Sequence, residues 1–158
     1  MKIRKMVIED YEKVYQLWMS CAGMGLNNLD DSKEGIEKFL RRNPDTCFVA
    51  EDQEIVGVIL AGNDGRRGYI YHTAVHPDYR KQGIAASLVE HVEKAMVELE
   101  IHKVALVVFD RHGLCCAFFT ASFILYHIFK ESHCLWIVCK ILRFHILVKL
   151  PQLCYCEN

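Results

Sequence analysis

The amino-acid sequence predicts an α/β fold built on a mixed sheet. Three observations support this prediction. Apolar residues recur at helical spacing in three segments, and runs of strand length lie between those segments. Asp64-Gly65 is a strong turn signal between two of the strands. The last helical segment stands between two strands, which is the order of a parallel β-α-β unit.

The first half of the chain predicts a strand, two helices and then two more strands. Residues 2–6 form a short strand, and residues 8–20 form a helix whose apolar positions include Trp18, which we assign to the core. Ser32 is a good N-cap for a second helix that runs to about Arg42, where Asn43-Pro44 ends it. Strands at 47–50 and 55–60 follow, joined through Asp52-Gln53.

A third strand of this series covers 68–75, so an antiparallel meander follows the two helices. A long amphipathic helix is predicted from Ile84 to Leu99, and an apolar run from Val104 to Phe109 has the length of a strand. We expect that strand to lie parallel to Tyr69–Val75. The complete predicted order is β-α-α-β-β-β-α-β.

The turn between the 68–75 strand and the long helix is the most informative part of the chain. It reads Val75-His76-Pro77-Asp78-Tyr79-Arg80-Lys81-Gln82-Gly83-Ile84-Ala85. The start of a helix presents unpaired backbone N–H groups and a partial positive charge, to which Arg80 and Lys81 add formal charge. Small residues here let an anion approach the backbone closely. The spacing matches neither a Walker A loop nor a dinucleotide fingerprint.

The same residues resemble the acetyl-CoA signature of the GCN5-related N-acetyltransferase (GNAT) family. That signature is Arg/Gln-x-x-Gly-x-Gly/Ala after a strand ending in Val-x-Pro, and Val75-His76-Pro77 with Arg80-x-x-Gly83-x-Ala85 matches it throughout. The resemblance covers about residues 1–111, as in a small stand-alone member. It implies the GNAT acyl-CoA N-acyltransferase fold, in which two central strands splay apart at a bulge. It also implies transfer of an acetyl group from acetyl-CoA to an amine.

The resemblance assigns cofactor-binding roles to two segments. Main-chain N–H groups of the helix start, with the two basic side chains beside it, would bind the pyrophosphate of CoA. The main chain at the end of the preceding strand would align pantetheine and polarise the thioester carbonyl. These cofactor-binding positions are Thr73, Ala74, Val75, Arg80, Lys81, Gln82, Gly83, Ile84 and Ala85.

The general base has three candidates. The strand position that carries glutamate in some family members is Tyr69 here. His72 is a second candidate because imidazole ordinarily titrates near neutrality, and Glu51 at a neighbouring strand end is a third. Strand alternation predicts that Tyr69, Tyr71 and Thr73 share one face and that His72 lies on the other.

The general acid is harder to assign. Many family members carry a tyrosine that protonates the leaving thiolate, and this position falls on Phe119, with Cys116 at a preceding asparagine position. Tyr126 would need a different backbone path. The resemblance therefore implies slow turnover. A degenerate domain that binds acyl-CoA without efficient catalysis is the alternative function.

Residues 112–158 do not match the family and differ in composition. Six of the eight cysteines lie there, and 113–129 contains no charged residue. Three interpretations stay open: a membrane segment, a set of elements that completes the sheet, and a sequence from a frame disruption, which the abrupt change favours. If the frame-disruption interpretation holds, the chain is a defective gene product. We treat 1–111 as the acetyltransferase core and 112–158 as a divergent apolar tail.

Composition limits the partners and the setting. The formal net charge is −1, which gives no support for a nucleic-acid partner. The charged N-terminus shows no signal peptide, so we expect free thiols and a cytoplasmic protein, with membrane association disfavoured. No Cys-x-x-Cys pair occurs, and no metal site is expected. The expected partner is a small-molecule or peptide amine, and the resemblance allows a homodimer.

Overall fold

A computed structural model describes residues 1–21, 24–109, 136–141 and 144–146. Its α/β architecture confirms the predicted order of elements up to residue 109. Single turns of 3-10 helix precede the first and third α-helices. The elements are β1 Lys2–Lys5, α1 Tyr11–Ser20, α2 Lys33–Arg42, β2 Phe48–Asp52, β3 Glu54–Asn63, β4 Gly68–Val75, α3 Ile84–Glu98, β5 Val104–Phe109, β6 Trp136–Ile141 and β7 Phe144–Ile146.

The strands form one mixed sheet in the order β1-β2-β3-β4-β5-β6-β7. The first four strands are antiparallel neighbours. β4 and β5 run parallel, with Gly68 opposite Val104 and Ile70 opposite Leu106, which confirms the predicted β-α-β unit. β6 lies parallel to β5 and antiparallel to β7.

The sheet separates two apolar cores because helices cover both of its faces. On one face α3 buries Leu88, Val92 and Met96 against the sheet residues Ile59 and Ile70. On the other face α1 and α2 bury a second cluster, in which Trp18 is 1% exposed, as predicted for a core residue. Each large side chain buried in this way stabilises the fold by about 1.5–3 kcal/mol.

The helix boundaries follow the local signals in the sequence. Ser32 caps α2, since its hydroxyl oxygen accepts a hydrogen bond from the Gly35 amide at 3.0 Å. The Asn43 amide donates to the carbonyl oxygen of Phe39, and Pro44 follows, so the helix ends there. Both ends of α2 are therefore set by residues within the helix or next to it.

A β-bulge lies in the middle of β4. Thr73 pairs with Ile59 and Ile70 pairs with Ala61, so both Tyr71 and His72 lie opposite the single residue Leu60. A bulge places two consecutive side chains on one side of the strand. The alternation predicted for this strand is therefore wrong: Tyr71 and His72 share the face of α1 and α2.

The opposite face of β4 now carries Thr73. Its partner Ile59 belongs to the core beneath α3, whereas the next pair, Val58 and Ala74, belongs to the core beneath α1. Thr73 is thus on the α3 side, away from Tyr71. Because the bulge contains one extra residue, the side chains after it alternate in the opposite phase to those before it.

β4 and β5 separate beyond the bulge. Their pairing covers only Gly68 to Ile70 on β4 and Val104 to Leu106 on β5. The later residues of β4 remain paired with β3 as far as Val75. The expected splaying of the two central strands is confirmed, and it opens a gap beside the C-terminal half of β4.

The C-terminal portion is described only at β6 and β7, which extend the sheet past β5. The predicted division at residue 111 and the origin of the tail stay predictions, because the residues between β5 and β6 lie outside the described ranges. Among the residues that are described, no helix combines the length and the apolar character needed to cross a membrane.

Candidate active site

The turn before α3 is exposed and has an unusual backbone. Lys81 and Gly83 both adopt positive φ angles, 62° and 80°. Arg80, Lys81, Gln82 and Gly83 are exposed, and a Cβ added at Gly83 would meet nothing within 4 Å. The turn therefore leaves open space next to the N-terminus of the helix.

The amides of this turn are free to bind a ligand. Within the described ranges, no protein group accepts a hydrogen bond from the backbone N–H groups of residues 81–86. The Ser87 amide is the first of the helix to be paired, with the carbonyl oxygen of Gly83 at 3.0 Å. Unpaired amides at the positive end of a helix are the arrangement that can accept an anion, and the cofactor-binding role of this turn stays a prediction.

The end of β4 is covered by side chains of the protein itself. Arg80 Nε donates to the carbonyl oxygen of Val75 at 3.2 Å, and Cys21 Sγ lies 3.6 Å from the same oxygen. The Arg80 guanidinium also lies 3.8 Å from Cys21 Sγ. A ligand amide that used the Val75 carbonyl would have to displace Arg80, which would then be free to move toward a phosphate.

Thr73 carries a polar atom with no protein partner. Its Oγ1 is buried and makes no hydrogen bond within the described part of the chain. A buried hydroxyl without a partner costs about 1–3 kcal/mol. Thr73 lies where β4 has already left β5, and its side chain is on the face of the sheet that α3 covers.

A cleft of about 510 Å³ lies on the other side of β4, between the bulge, the loop before α2 and α2 itself. The two bulge residues form part of its wall, so it meets the sheet at the point where β4 and β5 separate. The described residues that line it are Gly25, Asn27, Asp30, Asp31, Gly35, Ile36, Lys38, Phe39, Arg42, Leu60, Tyr71 and His72.

His72 and Asp31 form a close pair at the wall of this cleft. Nε2 of His72 lies 2.7 Å from Oδ1 of Asp31, whose side chain is 4% exposed. A carboxylate can only accept a hydrogen bond, so opposite the Asp31 carboxylate Nε2 is the donor of this pair. In a neutral ring Nδ1 then carries the lone pair, and no partner for Nδ1 is found among the described residues.

Asp31 is held in place by two further hydrogen bonds. Its Oδ2 accepts from the Asn27 amide at 2.8 Å, and its main-chain carbonyl oxygen accepts from the Tyr11 hydroxyl at 2.9 Å. Trp18 contacts the His72 ring edge-on, with the ring centroids 5.2 Å apart. The orientation of the imidazole is therefore determined on two sides.

The two tyrosines of β4 occupy different positions. Tyr69 lies before the bulge, in the part of β4 that pairs with β5, and does not line the cleft. Tyr71 lines the cleft, 46% exposed, with its ring edge-on to Phe39 at 5.6 Å. Partial burial, with Tyr69 and Asp64 nearby, raises the pKa of Tyr71 above its ordinary value. The predicted role of Tyr69 stays a prediction.

The Glu51 carboxylate is already bound by Arg4. Its carboxylate accepts from Arg4 Nε at 2.9 Å, and the same guanidinium binds Asp10 through two hydrogen bonds of 2.7 and 2.8 Å. The hydrogen bond from Arg4 lowers the pKa of Glu51. Glu51 lies on β2, two strands from β4. Its catalytic role stays a prediction, but a carboxylate held in this way is a weak base, and we assign no proton transfer to it.

Sequence reasoning named His72 as a candidate base, which stays a prediction, but did not identify Asp31 or most of the cleft. The Asp30-Asp31-Ser32 segment reads as the start of a helix, which hides a buried carboxylate among capping residues. In the sequence, Phe39 is typical of the apolar face of an ordinary surface helix and Lys38 of its polar face. Nothing local connects Asp31 with His72, which lies 41 positions away. The Phe119, Cys116 and Tyr126 positions considered for the acid lie outside the described residues.

Metal ligands do not converge in the part of the chain that the structure describes: no three His, Cys, Asp or Glu side chains meet there in a suitable arrangement. The two described cysteines, Cys21 and Cys47, are buried and free. Burial raises the pKa of Cys47 to about 12, so this thiol stays protonated.

Known proteins resemble this chain in sequence and in fold. A profile of the acetyltransferase (GNAT) family matches residues 11–123. An acetyltransferase of Sodalis glossinidius is 40% identical over 109 residues, which is 68% of this chain and 75% of that protein. An acetyltransferase of Pectobacterium atrosepticum is 39% identical over the same length, with 68% and 76% covered.

Solved structures agree in fold at lower identity. Ard1 from Thermoplasma volcanium superposes with a TM-score of 0.66 at 20% identity, covering 75% of this chain and 78% of that one. The PaiA N-acetyltransferase from Thermoplasma acidophilum, solved with coenzyme A, has a TM-score of 0.65 at 21% identity, with 75% and 85% covered. The extent of the profile match and the identity to the bacterial acetyltransferases show that this chain belongs to the GNAT acetyltransferase family and is an acyltransferase.

Proposed function

We propose that this protein transfers the acetyl group of acetyl-CoA to an amine, with His72 as the general base. The observation that supports this most directly is the His72–Asp31 pair at the point where β4 leaves β5. It stands between an anion site at the start of α3 and a cleft of about 510 Å³. A cosubstrate and an acceptor could therefore meet at the bulge from opposite sides of the strand.

The residues present fit acetyl-CoA. The unpaired amides of 81–86 and the side chains of Arg80 and Lys81 would hold the diphosphate. Thr73 Oγ1 and the Val75 carbonyl would face the pantetheine arm in the gap beside β4, once Arg80 has moved aside. When bound, acetyl-CoA supplies a thioester whose carbonyl carbon an uncharged amine attacks.

His72 would supply the proton transfer. An alkyl ammonium ordinarily has a pKa near 10.4, so an amine must be deprotonated before it can attack. Nδ1 of His72 would accept that proton, while Nε2 donates to Asp31 and keeps the ring in the productive orientation. General base catalysis of this kind contributes about 10²–10⁴-fold.

The main-chain N–H of Val75 would stabilise the negative charge that develops on the thioester oxygen, whereas the N–H of Ala74 points toward Val58 on β3, one ladder step before the His76–Val56 hydrogen bond. Such a preorganised donor is worth about 3 kcal/mol in a site that excludes water. Formation of the C–N bond and cleavage of the C–S bond leave CoA as a thiolate. Since a thiolate is a tolerable leaving group, a positioned acid is helpful and not essential.

A domain that binds acyl-CoA without efficient catalysis is the second candidate. The observation that favours it is Phe119, which stands where the family resemblance places a tyrosine that acts as the general acid. The two candidates share the cofactor site and differ only in turnover, so binding and activity must be measured separately.

The experiment has a binding arm and a turnover arm. Calorimetry with acetyl-CoA tests the α3 site in the parent protein and in the double variant Arg80→Ala/Lys81→Ala. We expect affinity to fall roughly tenfold, the effect of losing two exposed phosphate contacts. The matched control is Arg66→Ala/Arg67→Ala on the exposed β3–β4 turn, which removes the same charge and should bind normally.

Turnover is measured by mass spectrometry of amines after incubation with acetyl-CoA. We expect His72→Gln to lower kcat about 10²-fold or more with acetyl-CoA affinity unchanged. His91→Gln on α3 is the control, since His91 bonds the Ser87 carbonyl and is remote from the cleft. Failure of the parent to bind acetyl-CoA would refute the proposal. Binding without acetylation of any amine would establish the second candidate.

A further inference from the structure

The charged residues that line the cleft are separated along α2. Asp30 and Asp31 precede the start of the helix, Lys38 and Arg42 lie in its C-terminal half, and apolar side chains complete the lining. We infer that the acceptor is a small molecule with an amine at one end and an anionic group, a carboxylate or phosphate, at the other. This inference rests on the proposed function and specifies its substrate class.

The acidic end is where the amine must react. His72 and the buried Asp31 lie there, beside the bulge, and Asp30 adds an exposed carboxylate to the same wall. An ammonium group is attracted to these carboxylates before it loses its proton. The charge of this end therefore selects a cationic amine and orients it toward His72.

The middle of the cleft is suited to an apolar spacer. Phe39 of α2 and Tyr71 of β4 meet edge-on, with interplanar angle 89° and centroids 5.6 Å apart. Buried Ile36 and Leu60 complete this part of the lining. None of these side chains carries a charge, so the spacer between the two charged ends of the ligand should be hydrocarbon or aromatic.

The basic end is formed by two exposed side chains on one face of α2. Lys38 and Arg42 are four residues apart, so they are neighbours on the helix surface. Within the described ranges, neither makes an ion pair. Two adjacent unpaired cations that line a cavity are available to bind a carboxylate or phosphate.

The helix sets the length of the ligand. Lys38 and Arg42 follow the N-cap Ser32 by six and ten residues, which is about 9 and 15 Å along the axis at the α-helical rise. The ligand's two charged groups should be separated by a similar distance. The volume of about 510 Å³ lies in the range of small-molecule sites, which favours a small acceptor over a protein.

The probes are aminomethyl-phenylpropionate, with the two groups para on the ring, and its neutral carboxamide. They share the same amine and the same spacer, so only the anionic end differs. We expect kcat/KM with acetyl-CoA to be about tenfold higher for the carboxylate, the effect of two solvent-exposed charge contacts. The difference should appear in KM because the anionic end is remote from the reacting atoms.

The variant Lys38→Gln/Arg42→Gln should abolish the preference by lowering kcat/KM for the carboxylate to that of the carboxamide. The control Arg41→Gln removes a charge from the same turn of α2 outside the cleft and should keep the preference. Equal use of both probes by the parent, or an equal loss for both in the double variant, would overturn the inference.

Binding of the carboxylate probe to the parent, followed by ligand-detected NMR, separates this inference from the proposed function. Binding that the double variant loses supports the inference even without turnover, and absence of binding overturns it. Acetylation of both probes with equal efficiency would leave the proposed function standing and remove the inference alone.

Discussion

Replacing Gly35 by alanine should both destabilise the protein and slow the reaction, although alanine is the better helix former. An added Cβ would lie 2.5 Å from the carbonyl oxygen of Leu29 and closer still to that of Asp30. Ordinary carbon contacts lie near 3.5 Å, so the loop before α2 must retreat by about 1 Å. That loop carries Asp31, which is 2.7 Å from His72.

Two opposing energies set the expected change in stability. Alanine in place of glycine in a helix gains about 1 kcal/mol of propensity. Forcing backbone atoms apart costs about 1–3 kcal/mol, so a net loss of up to about 2 kcal/mol is expected at Gly35. For a chain of this size that loss lowers Tm by up to roughly 8 °C. Thermal unfolding followed by circular dichroism measures it.

The expected effect on the rate is larger than the effect on stability. A misplacement of about 1 Å at a reacting group can cost on the order of 10²-fold. We therefore expect kcat/KM to fall by that order in Gly35→Ala, and much less in an Asp31→Asn background, where the pair is already impaired. An unchanged Tm with full activity in Gly35→Ala would refute the reasoning, as would equal losses in both backgrounds.

Three further predictions concern the α3 turn, the charge cluster at β1 and a buried thiol. Gly83→Ala forces a side chain onto a φ of 80°, at a cost of about 1–2 kcal/mol, so acetyl-CoA should bind roughly tenfold more weakly by calorimetry; unchanged affinity would contradict this. Burial opposes ionisation of Asp10, but hydrogen bonds led by those from Arg4 outweigh it and lower its pKa, as Arg4 also does for Glu51. The stability these carboxylates contribute is present above pH about 4 and lost as the pH falls through their lowered values, so Arg4→Met should flatten the acid limb of a Tm–pH curve. Cys47, with its pKa raised to about 12, should resist iodoacetamide at pH 8 in the native protein and react once urea unfolds it, as read by peptide mass spectrometry.

The local signals of the sequence predicted the elements well. The Ser32 cap and the Asn43-Pro44 stop mark the ends of α2 within a residue. The Asp64-Gly65 turn predicted the join between β3 and β4, and the β-α-β order was sufficient to predict the parallel pairing of β4 and β5. The turn from Arg80 to Ala85 could also be identified, because an anion site at a helix start depends only on consecutive residues.

The bulge in β4 could not be predicted from strand alternation. The bulge arises in the pairing of β4 with β3, where Leu60 lies opposite two residues of β4. Strand alternation assumes one partner for each residue, so a single unmatched position inverts every assignment beyond it. For this reason the sequence placed His72 on the face away from Tyr71.

The sequence by itself determined the helices, the strands and the exposed turn before α3, because each depends on residues within one or two turns of the chain. Only the tertiary structure decided that Asp31 meets His72 and that α2 lines a cleft with separated charges. Those contacts join residues about 40 positions apart through the packing of α2 on the sheet, and no local pattern encodes a distance of that kind.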